Sequence, residues 1–242
     1  MTTVDSIGRL GNQIIRNLAV SLIAEKHDLF VDYKNNYEII QQLGIELFIG
    51  KKSYAQSIHL NDNNYFDIYN TEKLNNNLHM FLDYFQTKEI TNFLYKYLHS
   101  DRIKTNIINN NPYKENYKNN NDLFIHIRLG DVEHVNPGIE YYMKAISLIS
   151  FDNIYISSDS LNHPIIKQII EKYPNTKIIE YDEKNTIQFA STCKNLILSH
   201  GSFSSVIGYL SFFSNIYYPE YEENKIWYGD MFSIEGWNKI VK

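Results

Sequence analysis

The 242-residue sequence is short of several things, and each shortage excludes a class of function. Its single cysteine, Cys193, cannot form an internal disulfide, which places the chain most easily in a reducing, cytoplasmic setting. About one residue in eight is asparagine, yet no Asn-x-Ser/Thr acceptor occurs. The first residues lack the basic-then-apolar order of a secretory leader or anchor. Basic residues are scarce too: 23 Lys and Arg against 28 Asp and Glu leave a net charge of −5, so no nucleic-acid partner is expected. Residues 195–219 carry no formal charge and are long enough to span a bilayer. Their serines, histidine, glycines and asparagines would be costly against lipid, so they read as a buried strand, a polar turn and a helix. No membrane-spanning segment is expected.

Missing motifs narrow the chemistry further. Neither G-x-G-x-x-G nor G-x-x-x-x-G-K-[ST] occurs, which leaves a dinucleotide cofactor and a P-loop unsupported. There is no Cys/His metal spacing and no Asp-x-Asp, so no metal and no cofactor are expected. No G-x-S-x-G marks a hydrolase nucleophile.

What is present is strand and helix alternation. In the N-terminal part an extended piece over 3–7 leads into Gly8-Arg9-Leu10-Gly11-Asn12-Gln13. Ile14, Ile15, Leu18, Ala19, Leu22 and Ile23 then recur at helical spacing, and 28–33 reads as a strand. A second helix is expected over 88–98. The polar, Asn-rich stretch 104–121 reads as a linker or exposed loop. It separates a Rossmann-like domain at 1–103 from another at 122–242. In the second, strands are expected at 123–127, 153–157, 177–181 and 196–199, with helices after each of the first two and one over 187–193. Such alternation predicts an α/β fold with parallel sheets, whose ligands gather at the carboxyl ends of the strands.

Three polar clusters follow expected strands. In His126-Ile127-Arg128-Leu129-Gly130-Asp131, side-chain alternation puts His126 and Arg128 on one face, and Arg128 has a planar fork suited to phosphate. An Arg–Asp pair closing the strand end is an equal alternative. In Ser157-Ser158-Asp159-Ser160 the carboxylate suits a ribose or base edge, or else a helix N-cap. Ser199-His200-Gly201-Ser202-Phe203-Ser204-Ser205 places small hydroxylated residues at a helix start, where backbone N–H groups make an anion site and capping is the bland reading. A phosphate-binding cleft between two α/β halves, without metal or nucleophile, suits a transferase acting on an activated donor.

The motifs also resemble those of a family. GRLGNQIIRNLA (8–19), HMFLDYFQTKE (79–89), HIRLGD (126–131), GIEYYMKAISLI (138–149), YISSDS (155–160) and FASTCKNLILSHGSFSSVIGYL (189–210) are similar, in order, to segments of the α-1,2-fucosyltransferases, glycosyltransferase family 11. The tail, 217–240, resembles that family's ending. The resemblance implies a GT-B-type fold of two Rossmann-like domains facing a donor cleft. It implies metal-independent, inverting transfer of L-fucose from GDP-β-L-fucose to a glycan hydroxyl, galactose O2 in this family. It matches Arg128 to the arginine on the β-phosphate, His126 to a residue near guanine and ribose, and Asp159 to a nucleotide contact. Ser202, Phe203, Ser204 and Ser205 match the turn around the phosphates, and Gly11 and Asn12 match the other side of the donor cleft. Asp131 is placed with Arg128 as catalytic, while the general base stays open among Asp131, Glu133, His134 and Glu140, or none of them.

Three departures bear on that implication. Leu129 stands where the family has a second arginine, and Ser160 where it has a second carboxylate. Ser205-Val206 replace a tryptophan pair, as in the protein O-fucosyltransferases and the α-1,6 enzymes. Other linkages or nucleotide-sugar donors on the same fold, and an inactive nucleotide- or glycan-binding module, remain alternatives. For the acceptor, Tyr37, Tyr54, Tyr65, Phe66 and Tyr69 are aromatic residues that could stack on sugar rings or belong to the core.

Overall fold

The computed structural model describes residues 1–221 and 230–241. They form two units: Met1–Asn110 with Asp230 and Met231, and the remainder from Asn111 onward.

The first unit runs β1 (Thr2–Val4), α1 (Leu10–His27), β2 (Val31–Tyr33), α2 (Tyr37–Gln42), β3 (Ser57–His59), α3 (Tyr65–Asn70), β4 (Asn77–His79), α4 (Lys88–Leu98) and α5 (Asp101–Asn110). Its strands are only three residues long, and all pairings are parallel: β1 with β2, β3 with β4. The Leu78 N–H donates to the Thr2 hydroxyl at 2.9 Å, which brings β4 beside β1. Helix α1 is buried on almost every side, so it is a core helix rather than an amphipathic surface one. Helix α4 follows the expected 88–98 and is capped by Thr87, whose hydroxyl accepts from the Ile90 N–H.

The expected loop at 104–121 is in part a helix. Its opening residues belong to α5, where Ile103 and Ile107 share a buried face one helical turn apart. Asparagine content concealed this, because several of these amides are internal ties. Asn106 donates to the Gly44 carbonyl at 2.8 Å, Asn111 to the Gln188 carbonyl at 2.9 Å, and Asn120 to the Thr192 carbonyl at 2.9 Å.

The second unit runs β5 (Leu123–Ile127), α6 (Ile139–Ser147), β6 (Ile154–Ser158), α7 (Pro164–Lys172), β7 (Lys177–Ile178), α8 (Glu183–Ala190), β8 (Asn195–Ile197), α9 (Ser202–Tyr209), β9 (Asn215–Pro219) and β10 (Asn238–Ile240). The six strands are all parallel in the order β10-β9-β8-β5-β6-β7. That order starts at β5, adds strands on one side through β7, then returns to add β8, β9 and β10 on the other. This is the Rossmann arrangement, and its switch point lies between β5 and β8. Strand β5 is buried at every residue, as a central parallel strand covered on both faces must be. The uncharged run 195–219 resolves into β8, a turn, α9 and β9. Among the described residues no helix is long and apolar enough to cross a membrane.

Candidate functional site

Register builds the site in the second unit. Ile127 of β5 stands opposite Ser158 of β6, so the chain leaves both strands at the same level with Arg128 beside Asp159. The guanidinium Nη1 pairs with Asp159 Oδ2 and Nη2 pairs with Asp131 Oδ1. The other Asp159 oxygen accepts the Leu129 N–H at 2.9 Å. Gly130 adopts a positive φ of 44°, and a Cβ there would meet Asp159 Oδ2, so the turn requires glycine. Asn136 ties the following 3-10 turn down by donating to the Arg128 carbonyl at 2.7 Å and to the Tyr142 hydroxyl at 3.2 Å. Tyr142 in turn donates to Ser199 Oγ at 3.0 Å, linking this turn to the end of β8.

Across the switch point, the β8–α9 turn is closed by Ser204. Its hydroxyl accepts the Ser199 N–H at 3.1 Å and lies 2.5 Å from His126 Nδ1. His126 is 5% exposed and packs against Phe203 with ring centroids 5.2 Å apart. Burial, and then the charge of Arg128, push its imidazole down to about 3, so it is neutral at ordinary pH. His200 is pushed down to about 4 by burial, with Arg128 and His134 adding to the effect. Both imidazoles lie within the field of Arg128.

The serines serve the turn rather than the helix cap. The N-cap of α9 is Gly201, at φ 90° and without a side chain to cap with. Ser205 donates to the Ser202 carbonyl at 2.9 Å, and Ser204 is fully buried in the His126 contact. The first N–H groups of α9, at Ser202, Phe203 and Ser204, are those a helix start leaves without an intrahelical acceptor. The N-cap reading of Asp159 is corrected: α7 is capped by His163, which accepts the Ile165 N–H at 3.2 Å, and Asp159 serves Arg128 instead.

Leu129 is fully buried in the apolar cluster of β5, α6 and β6, so its side chain points away from Arg128. Among the proton acceptors left open by the sequence, Asp131 pairs with Arg128, and Glu133 lies 3.0 Å from His163 Nε2. His134 and Glu140 are exposed. Part of the tail motif, 222–229, lies outside the described residues. No group of three or more His, Cys, Asp or Glu among the described residues is placed to hold a metal ion.

In the first unit Gly11 is buried in the first turn of α1, and Asn12 Oδ1 accepts from Gln86 Nε2 at 2.8 Å. Tyr65 is fully buried, donates to the Ala19 carbonyl at 2.9 Å and packs with Phe66, Phe85 and Phe93. It is core and offers no face to a sugar. Phe81 and Leu82, just after β4, are adjacent apolar side chains that are strongly exposed. The sequence reading also passed over Arg16. A charged residue amid the apolar helical series of α1 was the one available signal for Arg16.

No family model matches the chain, and no curated protein matches it. Among solved structures, the chain is similar to the α-1,6-fucosyltransferase NodZ co-crystallized with GDP, with a TM-score of 0.51 at 10% identity over 88% of this chain and 90% of that one. NodZ soaked with GDP-fucose gives 0.49 at 11% identity over 87% and 90%, and the selenomethionine protein from Bradyrhizobium gives 0.48 at 11% over 88% and 90%. The first likeness shows the fold: α/β with parallel sheets, of the GT-B type.

Proposed function

We propose that the protein is an inverting glycosyltransferase that moves L-fucose from GDP-β-L-fucose to a glycan hydroxyl without a metal ion. The observation that carries this reading is that Arg128, at the end of β5, and the uncapped start of α9, after β8, stand on the two sides of the β5–β8 switch point. A crevice at that place is where an open parallel sheet binds a nucleotide. A guanidinium fork and a set of helix N-terminal N–H groups are what a pyrophosphate needs. The ordered motif resemblance supports fucose and GDP, as does the shared fold of an α-1,6-fucosyltransferase co-crystallized with GDP.

In this reading an acceptor hydroxyl attacks the anomeric carbon as the bond to the β-phosphate breaks. Negative charge then develops on the departing GDP, beside Arg128 and the α9 N–H groups. Asp159 fixes the guanidinium by holding Nη1, and Asp131 neutralises Nη2 until the diphosphate arrives. His126 and Ser204 hold the α9 turn against β5. Because both imidazoles there are neutral, they add no competing cation. Leu129 lies in the core, so the positive charge on the leaving group falls to Arg128 alone among the motif's side chains. Galactose O2 is the acceptor position we propose from the motif set.

The test is transfer from GDP-fucose to a glycan panel, with linkage analysis of the product. Thermal-shift comparison of GDP, UDP and dTDP identifies the nucleotide, since a ligand bound only by the native state raises its melting temperature. Arg128→Ala lowers kcat by about 100- to 1,000-fold, the usual effect of removing one donor to developing charge. Transfer by Arg128→Ala at the parent rate, or a shift by UDP and not GDP, refutes the reading.

A further inference from the structure

In the second unit the sheet does not hold the two walls of the switch point together at the level of the site. Backbone pairing of β5 with β8 ends at Ile125 and Ile197, whereas β5 continues along β6 as far as Ile127 and Ser158. The next N–H of the β8 wall, at Leu198, donates to the Tyr217 carbonyl of β9 at 2.8 Å. The strands part there, so the spacing between Arg128 and the start of α9 is left to side chains that reach across. His126 reaches Ser204 in this way. A second bridge runs through Tyr142 of α6.

The members of this second bridge fix one another's donors and acceptors. Asn136 Oδ1 accepts the Gly138 N–H at 2.9 Å, which orients the amide. Its NH2 group then donates to the Arg128 carbonyl at 2.7 Å and to the Tyr142 hydroxyl at 3.2 Å. Tyr142 has one proton to give, and it goes to Ser199 Oγ at 3.0 Å. Ser199 Oγ lies 3.3 Å from His200 Nδ1, and the Ser199 N–H donates to Ser204 Oγ at 3.1 Å. Tyr142 and Ser199 are fully buried. Burial pushes the Tyr142 phenol up, against the opposing effect of Ser199 and Asn136, so it keeps its proton at neutral pH. Such a chain is stiff, because breaking one link strands a donor or an acceptor at depth. Tyr141, the preceding residue of α6, offers the contrast. It is also buried, but it donates to the Leu198 carbonyl at 2.7 Å and has no hydrogen bond to the turn after β5 among the described residues.

We propose that Tyr142 is a positioning residue for the leaving diphosphate: its hydroxyl sets the distance between Arg128 and the α9 N–H groups, so that both meet one diphosphate. This rests on the glycosyl-transfer reading. A monophosphate can be met by one wall alone, whereas a diphosphate spans both and senses their spacing. Loss of the Tyr142 hydroxyl leaves the ring in the apolar cluster of β5, α6 and β6 and releases the Asn136 and Ser199 ends of the bridge. The cost then falls on the charge that develops on GDP, where a displacement of about 1 Å lowers a rate by as much as about 100-fold.

The experiment compares parent, Tyr142→Phe, Ser199→Ala and Tyr141→Phe by calorimetric titration with GDP and with GMP, and by initial-rate transfer from GDP-fucose, each well below the variant's own melting temperature. Tyr142→Phe is expected to weaken GDP binding and lower kcat, each about tenfold, with GMP affinity within about twofold of the parent. Ser199→Ala cuts the next link without altering the aromatic core and is expected to show the same split. The double variant is expected to be no worse than either single one by more than about twofold, as members of one chain behave. Tyr141→Phe is expected to lower the melting temperature and to leave kcat and the GDP-to-GMP preference at parent values. GDP affinity and kcat within about twofold of the parent in either cut variant, or a loss in Tyr141→Phe as large as in Tyr142→Phe, overturns the inference and leaves the transferase reading standing. A parent that binds no GDP and transfers from no GDP-sugar overturns both.

Discussion

Arg128 in the second unit and Arg16 in the first both lie among carboxylates, and the two are held in opposite ways. Arg128 lies at a strand end, partly open to solvent, with a carboxylate directly on each terminal nitrogen. Arg16 lies inside the core, where, among the described residues, Nη1 donates to the Asp83 carbonyl and the charges of Asp5, Asp83 and Asp62 act without a direct ion pair. Burial accordingly lowers the pKa of Arg16, and the surrounding acids oppose that effect without reversing it. The contrast separates two tasks. A guanidinium with exposed, exchangeable partners can trade a carboxylate for a phosphate, whereas a buried one mainly fixes the chain around it.

Substitutions test that contrast, beginning with the largest effect. Arg16→Ala leaves a cavity and a group of carboxylates without their cation, and is expected to destabilise the protein by about 3–5 kcal/mol in urea unfolding followed by far-UV circular dichroism. Arg16→Met refills the volume and is expected to recover part of that loss. Arg128→Ala, at a partly solvated position, is expected to cost no more than about 1–2 kcal/mol in the same measurement. If Arg128→Ala proved the more destabilising of the two, the assigned tasks would have to be exchanged.

Acid provides a second test. Unfolded histidine titrates near 6.5, while native His126 and His200 resist protonation until about 3 and 4. Below pH 6.5 the unfolded state therefore binds protons that the native state refuses, and stability falls as pH drops toward 4. Each histidine contributes about 1.4 kcal/mol per pH unit across that window. Unfolding midpoints followed by tryptophan emission between pH 6.5 and 4.5 should show this slope, and His126→Asn should reduce it by about one proton.

Smaller effects refine the picture. Ser204→Ala removes the partner of both His126 and the Ser199 N–H, and is expected to cost about 1–3 kcal/mol. Asp131→Asn, at a carboxylate that is 58% exposed, is expected to change stability by less than about 1 kcal/mol. An Asp131→Asn effect as large as that of Ser204→Ala would show that the outer carboxylate is a structural partner of Arg128 rather than an exchangeable one.

Legibility in the sequence differed between the units for a physical reason. In the second unit β5 is buried at every residue and β6 at both its isoleucines, so LFIHI and NIYIS appear as apolar runs, and the helices that follow them are amphipathic. The alternation, and the placing of Arg128, Asp159 and the 199–205 turn at strand ends, followed from those patterns alone. In the first unit the strands are three residues long and β3 is exposed at every position, so Ser57–His59 carries no strand signal at all. That β3 lies parallel to β4 is something no local pattern encodes.

The sequence by itself thus determined the α/β class, the ladder of the second sheet and which polar clusters would stand at its carboxyl ends, because periodicity and composition report burial along one chain. Only the tertiary structure decided who faces whom. Register made Asp159 the partner of Arg128, the N-cap at Gly201 released the serines to bind His126 and the backbone, and packing sent Leu129 into the core. Burial of α1 on all sides turned Arg16 from one charge in an apolar helix into the post beneath Asp83. Each of these is a relation between segments distant in sequence, and such relations are set by packing and strand order rather than by local propensity.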